Sequence, residues 1–161
     1  MKYLLKTFFI AIFFIGFFFV YVPHVIVSVD NPLWLSDIIL MRCLAVLPFL
    51  TGLIISIMCV LNFAFLGQGT PAPFDPPKIL VIKGFYNRVR NPMYIGGFLI
   101  LFGLSLFFQS AYLLTYLVIL SIFFHCFVIF YEEPILRKNF GSSYIEYCKM
   151  VPRWVPKLKK D

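Results

Sequence analysis

Two short stretches carry residue types that could do chemistry. The first is Arg88-Val89-Arg90-Asn91-Pro92-Met93-Tyr94-Ile95-Gly96-Gly97. Pro92 disfavours helical backbone at Asn91 and suits the first position of a helix, so Asn91 is expected to be the N-cap of a helix starting there. Unpaired backbone N–H groups and the positive end of the helix dipole would then lie beside the arginines, a setting suited to a carboxylate. Gly96 and Gly97, one turn in, would let another helix or a flat ligand approach closely. The second stretch is Glu132-Glu133-Pro134, at the end of a long apolar run in a chain of net charge +7. An acid so placed calls for a cationic partner. His125 lies seven residues earlier, near the same helix face and about 10 Å deeper, where it could orient an acceptor or move a proton. Without any chemistry, the same residues read as a capped helix flanked by arginines, a solvated acid pair and a packing histidine.

The elements that position these residues belong to a membrane. The chain is 61% hydrophobic and 13% charged, whereas an ordinary soluble domain has roughly 45–50% apolar and about 25% charged residues. Four apolar runs approach the length of about 20 residues that spans a bilayer: Leu4–Val22, Ile38–Leu61, Met93–Phe108 and Tyr112–Tyr131. Gln109, Ser110 and Ala111 alone separate the last two, which predicts a tight antiparallel hairpin. Of 14 Lys and Arg residues, 13 fall at the N-terminus, between Gly67 and Asn91, or after Tyr131, with Arg42 the exception. The loop Pro23–Asp37 holds Asp30 and Asp37 and no cation. Four spans put the three basic regions on one side, the cytoplasmic one, together with both termini. The first apolar run is followed by no small-x-small cleavage site and reads as a retained helix rather than a signal peptide.

The expected fold is therefore an all-α integral membrane protein with about four transmembrane helices. A cytoplasmic loop and short C-terminal helices would form its site. Residues 1–66 read as a two-span scaffold and residues 67–161 as the catalytic region of one integrated domain. The loop Gly67–Pro77, rich in Gly and Pro, should run extended. Pro134 should open a short helix that Gly141 closes. Ser143 and Glu146 have capping-box spacing for the next, which carries Tyr144 and Tyr147. Arg153-Trp154 would anchor at the interface. The four cysteines form no CxxC pair and the two histidines are far apart, so neither a disulfide framework nor a metal site is expected. The basic residues are not interleaved with nucleic-acid readers, which excludes that class of partner.

Taken together, the two clusters resemble the isoprenylcysteine carboxyl methyltransferases, within the wider group of membrane phospholipid methyltransferases. The resemblance runs from about Gly67 to Pro156. It is carried by Lys78-Ile79-Leu80-Val81, Gly84-x-Tyr86, Arg90-Asn91-Pro92-Met93-Tyr94, Glu132-Glu133-x-x-Leu136, Phe140-Gly141-x-x-Tyr144-x-x-Tyr147 and Val151-Pro152-Arg153. The Gly-Thr-Pro-Ala-Pro-Phe-Asp-Pro-Pro loop and the Val-Pro-Arg-Trp-Val-Pro ending look most like bacterial members, which implies an inner-membrane location. The resemblance implies S-adenosylmethionine as cofactor, held at the cytoplasmic end of the bundle by Lys78, Ile79, Leu80, Val81, Tyr86, Asn91, Pro92, Met93, Tyr94 and Glu132. Arg90, Tyr94 and His125 are the residues expected at the reacting groups. The acceptor would be a lipid or a prenylated small molecule, with carboxyl O-methylation favoured over N-methylation.

The chain departs from the family at two places. Asn91 stands where the motif has His, and Val128 where the eukaryotic enzymes place a substrate-binding Arg. Two other readings share some of these features. Membrane reductases of the sterol-reductase type have a similar Arg-x-Pro-x-Tyr element and tail but use NADPH. A non-catalytic membrane protein could keep the fold without the chemistry.

Overall fold

The computed structural model describes residues 13, 16–30, 39–62, 65, 80 and 82–156. Among these residues every regular element is helical. In chain order, a wide turn at Phe17–Tyr21 leads into α1 (Val22–Val29), followed by α2 (Ile39–Asn62), a short 3₁₀ turn (Gly84–Asn87), α3 (Pro92–Phe107) and α4 (Ala111–Phe127). A second wide turn, Val128–Glu132, then leads into α5 (Glu133–Met150). Two helical runs, Ile39–Asn62 and Ala111–Met150, are long and apolar enough to cross a membrane, while Phe17–Val29 and Pro92–Phe107 are apolar but shorter.

Both wide turns have one cause. The N–H of Val22 reaches back five residues to Phe17 and that of Glu133 five residues to Val128. In each case a proline, Pro23 or Pro134, follows directly. Proline has no N–H to donate and its ring crowds the carbonyl four residues earlier. Widening the preceding turn absorbs both problems without ending the helix. The first apolar run therefore does not stop at Val22. The expected loop Pro23–Asp37 instead begins with the helical turns of α1, and most of Leu4–Val22 lies outside the described residues.

The α2–α3 contact is built from small residues. Ala45, Gly52, Ser56 and Cys59 are buried along one face of α2. A Cβ added to Gly52 would lie 2.8 Å from the Ile100 nitrogen, and one on Gly96 would lie 2.9 Å from the Gly52 oxygen. Gly103 meets α2 in the same way, 2.9 Å from the Ala45 oxygen. Such close backbone approach replaces the hydrophobic driving force that lipid cannot supply between helices.

The expected hairpin is present. Gln109 takes φ 51, and the Ser110 side chain accepts from the Leu113 N–H at 3.0 Å as the N-cap of α4. The Ser110 hydroxyl also donates to Asp30, which brings the end of α1 to the α3–α4 turn. At the opposite end of α3, Gly84 packs on the Asn62 side chain and so joins the end of α2 to the loop before Arg90.

Candidate functional site

The site forms at that second end of α3, where the 3₁₀ turn, α3, the wide turn and the C-terminal tail meet. Tyr86 sits at its base, buried against Cys59 with Ile55 and Met93 around the pair. The Tyr147 hydroxyl donates to the Tyr86 carbonyl at 2.6 Å, which ties α5 to the loop. Burial, followed by the neighbouring Cys59, holds the Tyr86 phenol well above its usual pKa. Leu80 packs on the cluster of Tyr144, Tyr147 and Val151. Lys78, Ile79 and Val81 lie outside the described residues.

Glu133 is the electrostatic centre of the tail. Its Oε1 accepts from Arg90 Nη1 at 2.9 Å and from Arg153 Nε at 2.7 Å, and its Oε2 accepts from Arg153 Nη2 at 3.1 Å. The exposed Arg137 approaches to 3.8 Å from the next turn. Burial pushes the Glu133 carboxyl up, but the Arg153 hydrogen bond and the charges of Arg90, Arg153 and Arg137 outweigh it and hold the group below its usual value. The Arg90 Nη1 also contacts Cys148 Sγ at 2.9 Å, and the Arg90 backbone N–H donates to the Pro152 carbonyl. The Arg90 Nε is buried with no hydrogen-bond partner.

Glu132, one residue earlier, has different company. The Tyr94 hydroxyl donates to its Oε2 at 3.0 Å. Burial pushes the Glu132 carboxyl up to about 7, the Tyr94 hydrogen bond works against that shift, and the charge on Glu133 adds to it. This group lies just beyond the apolar run that ends at Tyr131. Tyr94 itself packs at a tilt on Phe124, with ring centroids 4.7 Å apart.

Asn91 occupies the N-cap position, but its side chain makes no capping bond. Its Nδ2 instead donates to the Arg153 carbonyl at 3.2 Å and fastens the tail over the start of α3. The first N–H groups of α3 are thereby left without a side-chain acceptor. His125 faces outward on α4, and its Nδ1 accepts from the Trp154 indole at 2.9 Å.

The fold therefore brings Arg90, Asn91, Pro92, Tyr94 and Glu132 to one end of α3, whereas Met93 and Tyr86 turn to the Cys59 cluster. Sequence reasoning did not assign roles at the site to Glu133 and Arg153 as an ion-pair centre, nor to Trp154 as a residue packed on both α3 and α4. The acid pair in a basic tail was the signal for the first. Nothing in local spacing signals the second.

The residues present fit a zwitterionic cofactor with a flat heterocycle. Glu132 is a half-buried carboxylate bonded to the Tyr94 hydroxyl, with no cation in ion-pair distance among the described residues, a match for an ammonium group. The uncapped α3 terminus and the unpartnered Arg90 Nε are donors for a carboxylate. Tyr94, partly exposed and backed by the buried Phe124, offers an aromatic ring for an adenine or a sulfonium.

A scan of family models matches residues 40–143, more than half of the 161-residue chain, to phospholipid methyltransferase. No curated protein and no solved structure matches the chain. The matched segment runs from α2 through Arg90, Tyr94, Glu132 and Glu133 to just past the kink in α5, short of the tail with Arg153 and Trp154, and the chain belongs to the phospholipid methyltransferase family.

Proposed function

We propose that this protein is an integral membrane methyltransferase that uses S-adenosylmethionine to methylate a lipid-like or isoprenylcysteine-like acceptor, carboxyl oxygen being favoured over nitrogen. In this reading the chain has four spans and both termini cytoplasmic, in a membrane of the bacterial inner-membrane type, with the site at the cytoplasmic end of the bundle. The observation that carries the reading is the Tyr94–Glu132 hydrogen bond, at 3.0 Å, inside the family-matched segment. The Asp30–Ser110 contact at one end of the helices and the Gly84–Asn62 contact at the other support the alternating topology.

When bound, S-adenosylmethionine supplies an electrophilic methyl group. Glu132, oriented by the Tyr94 hydroxyl, takes the amino group, and the α3 N-terminus with Arg90 takes the carboxylate. Leu80, Asn91 and Pro92 line the cofactor side in this reading, Tyr86 and Met93 support it from the Cys59 cluster, and the resemblance alone adds Lys78, Ile79 and Val81. An anionic acceptor needs little proton transfer, so the chain's main contribution is alignment in a water-poor site. In this reading His125, exposed on α4 and bonded to the Trp154 indole, serves the acceptor side. Val128 is buried, and no arginine stands there to fix an acceptor carboxylate.

Methyl-tritiated S-adenosylmethionine, added to the purified protein in vesicles of extracted bacterial lipids, tests this reading. Label should appear in the lipid phase and fall roughly tenfold or more in Tyr94→Phe, since a hydrogen bond to a charged group contributes about 1.5–3 kcal/mol. An unlabelled lipid phase with folded protein would contradict the reading. NADPH-dependent reduction of a lipid would favour the reductase alternative.

A further inference from the structure

A lipid acceptor must reach Tyr94 and Glu132 from the side of α3, and the two flanks of this helix are closed very differently. On the α2 flank, backbone meets backbone. Gly52, Gly96 and Gly103 leave no room even for a methyl group, and the Ser56 hydroxyl fills the space above Gly96. No chain can pass there without separating the helices.

On the α4 flank the closure is made by side chains. In its deeper part, Phe19 lies on Gly97 and the Phe18 ring lies 5.7 Å from Phe124. The Tyr116 hydroxyl donates to the Phe18 carbonyl and holds that part shut. At the end nearest the site Phe124 forms the floor, its ring 4.7 Å from Tyr94 and 6.4 Å from Phe98, and one indole from the tail covers that floor. Trp154 lies 6.3 Å from the Tyr94 ring and 6.2 Å from the Phe98 ring, both on α3, and 5.9 Å from the His125 ring on α4.

The tail is firmly anchored up to the residue before this indole. Pro152 accepts from the Arg90 N–H, the Arg153 carbonyl accepts from Asn91, and the Arg153 side chain grips Glu133. Beyond it, Val155 is 76% exposed. Trp154 is held by its rings and by one hydrogen bond to His125. Its side chain can leave the groove by rotating about χ1 and χ2 while the Arg153 anchor stays in place.

We propose that Trp154 is the gate of the acceptor's lateral path and sets which apolar chains reach the site. This rests on the methyltransferase reading above. The acceptor's chain takes the place of the indole between Phe98 and His125, while its polar end reaches the Tyr94–Glu132 pair. A large flat ring at this point admits thin chains on rotation and hinders bulky or branched ones.

Two measurements test the gate. Trp34 and Trp154 are the chain's two tryptophans, so in a Trp34→Phe background the fluorescence reports Trp154 alone. In phosphatidylcholine vesicles carrying a 5-doxyl lipid, that fluorescence should fall at least about twofold. An unquenched Trp154 would be shielded from the bilayer, and the gate would be overturned whatever the activity. In the labelling assay with extracted lipids, Trp154→Ala should shift the chromatographic distribution of products toward bulkier lipids by at least about fivefold, and Trp154→Phe should restore the original distribution. An unchanged distribution in a folded Trp154→Ala protein would also overturn the gate. Absence of label with the wild type would instead overturn the methyltransferase reading, and quenching would still report the position of Trp154.

Discussion

Glu132 and Glu133 are neighbours in the chain, yet the Glu133 carboxylate is bound by Arg90 and Arg153 while Glu132 meets the Tyr94 hydroxyl. Consecutive helical residues point about 100° apart. Here the wide turn Val128–Glu132, forced by Pro134, sets the direction of each. One acid closes the tail and the other faces the end of α3. The division separates a structural carboxylate from the one that the proposed function assigns to a cofactor's ammonium group.

Glu133→Gln should destabilise the protein strongly. The Glu133 side chain is 6% exposed and Arg90 12%, so removing the carboxylate leaves a buried guanidinium uncompensated. Breaking a buried pair in this way costs about 3–5 kcal/mol, and the partial exposure of Arg153 points to the lower end. Thermal unfolding in detergent should show the loss, and a melting temperature within a degree of wild type would contradict it. The pH dependence has a defined sign. The folded-state pKa of Glu133 is depressed, so its contribution is present above the unfolded value of 4.5 and disappears as pH falls through the folded value.

Glu132 should make cofactor affinity rise with pH. With its carboxyl pushed up to about 7, the group is mostly protonated at pH 6 and mostly ionised at pH 8. An ammonium pairs with the ionised form, so binding should tighten by up to about tenfold between these two values. The effect on the fold runs the other way. A raised carboxyl pKa gives stability that is present below 4.5 and lost as pH rises through about 7. Calorimetric titrations at pH 6, 7 and 8 check the first statement, and a flat profile would remove Glu132 as the ammonium partner.

Asn91→Asp separates a capping role from a tail-holding one. Aspartate caps helices as well as asparagine does but donates no hydrogen bond, so a capping residue would tolerate the change. Because Asn91 Nδ2 donates to the Arg153 carbonyl, the substitution should cost about 1 kcal/mol and speed hydrogen exchange in residues 151–156. Unchanged exchange in the tail would contradict this account.

Much of this architecture was legible in the apolar runs. Ile38–Leu61 became Ile39–Asn62, Met93–Phe108 became Pro92–Phe107, and three residues proved enough for the hairpin. These features depend on length and on turn chemistry, which are local. Gly141 also interrupts α5 as expected, at φ 55 and ψ −128, although helix resumes directly beyond it. The extension of helix through Pro23 was not legible, because a widened turn can absorb a proline that spacing alone reads as a stop. The Asn91 assignment failed on its side chain for a tertiary reason: the Arg153 carbonyl, 62 residues away, competes for the amide. The contacts of Trp154 with Tyr94, Phe98 and His125 likewise depend on a tail folding back over the bundle, which no local pattern encodes.

Gly52→Val should weaken the α2–α3 contact by about 1–3 kcal/mol, the usual cost of overpacking. Its Cβ would meet backbone atoms of α3, including the Ile100 nitrogen at 2.8 Å, and backbone cannot step aside as a side chain can. Gly16→Ala is the control, since nothing lies within 4 Å of that position and alanine favours helix. Melting temperatures of the two variants should move in opposite directions, and equal shifts would contradict the close packing.

The central claim is that the α3 end and Glu132 form an S-adenosylmethionine site, and calorimetry on the detergent-purified protein tests it most directly. The account predicts saturable binding of S-adenosylmethionine, at least about tenfold weaker binding to Glu132→Gln, and no heat from NADPH. Binding that is equally tight in the folded Glu132→Gln variant, or binding of NADPH in place of S-adenosylmethionine, would contradict it.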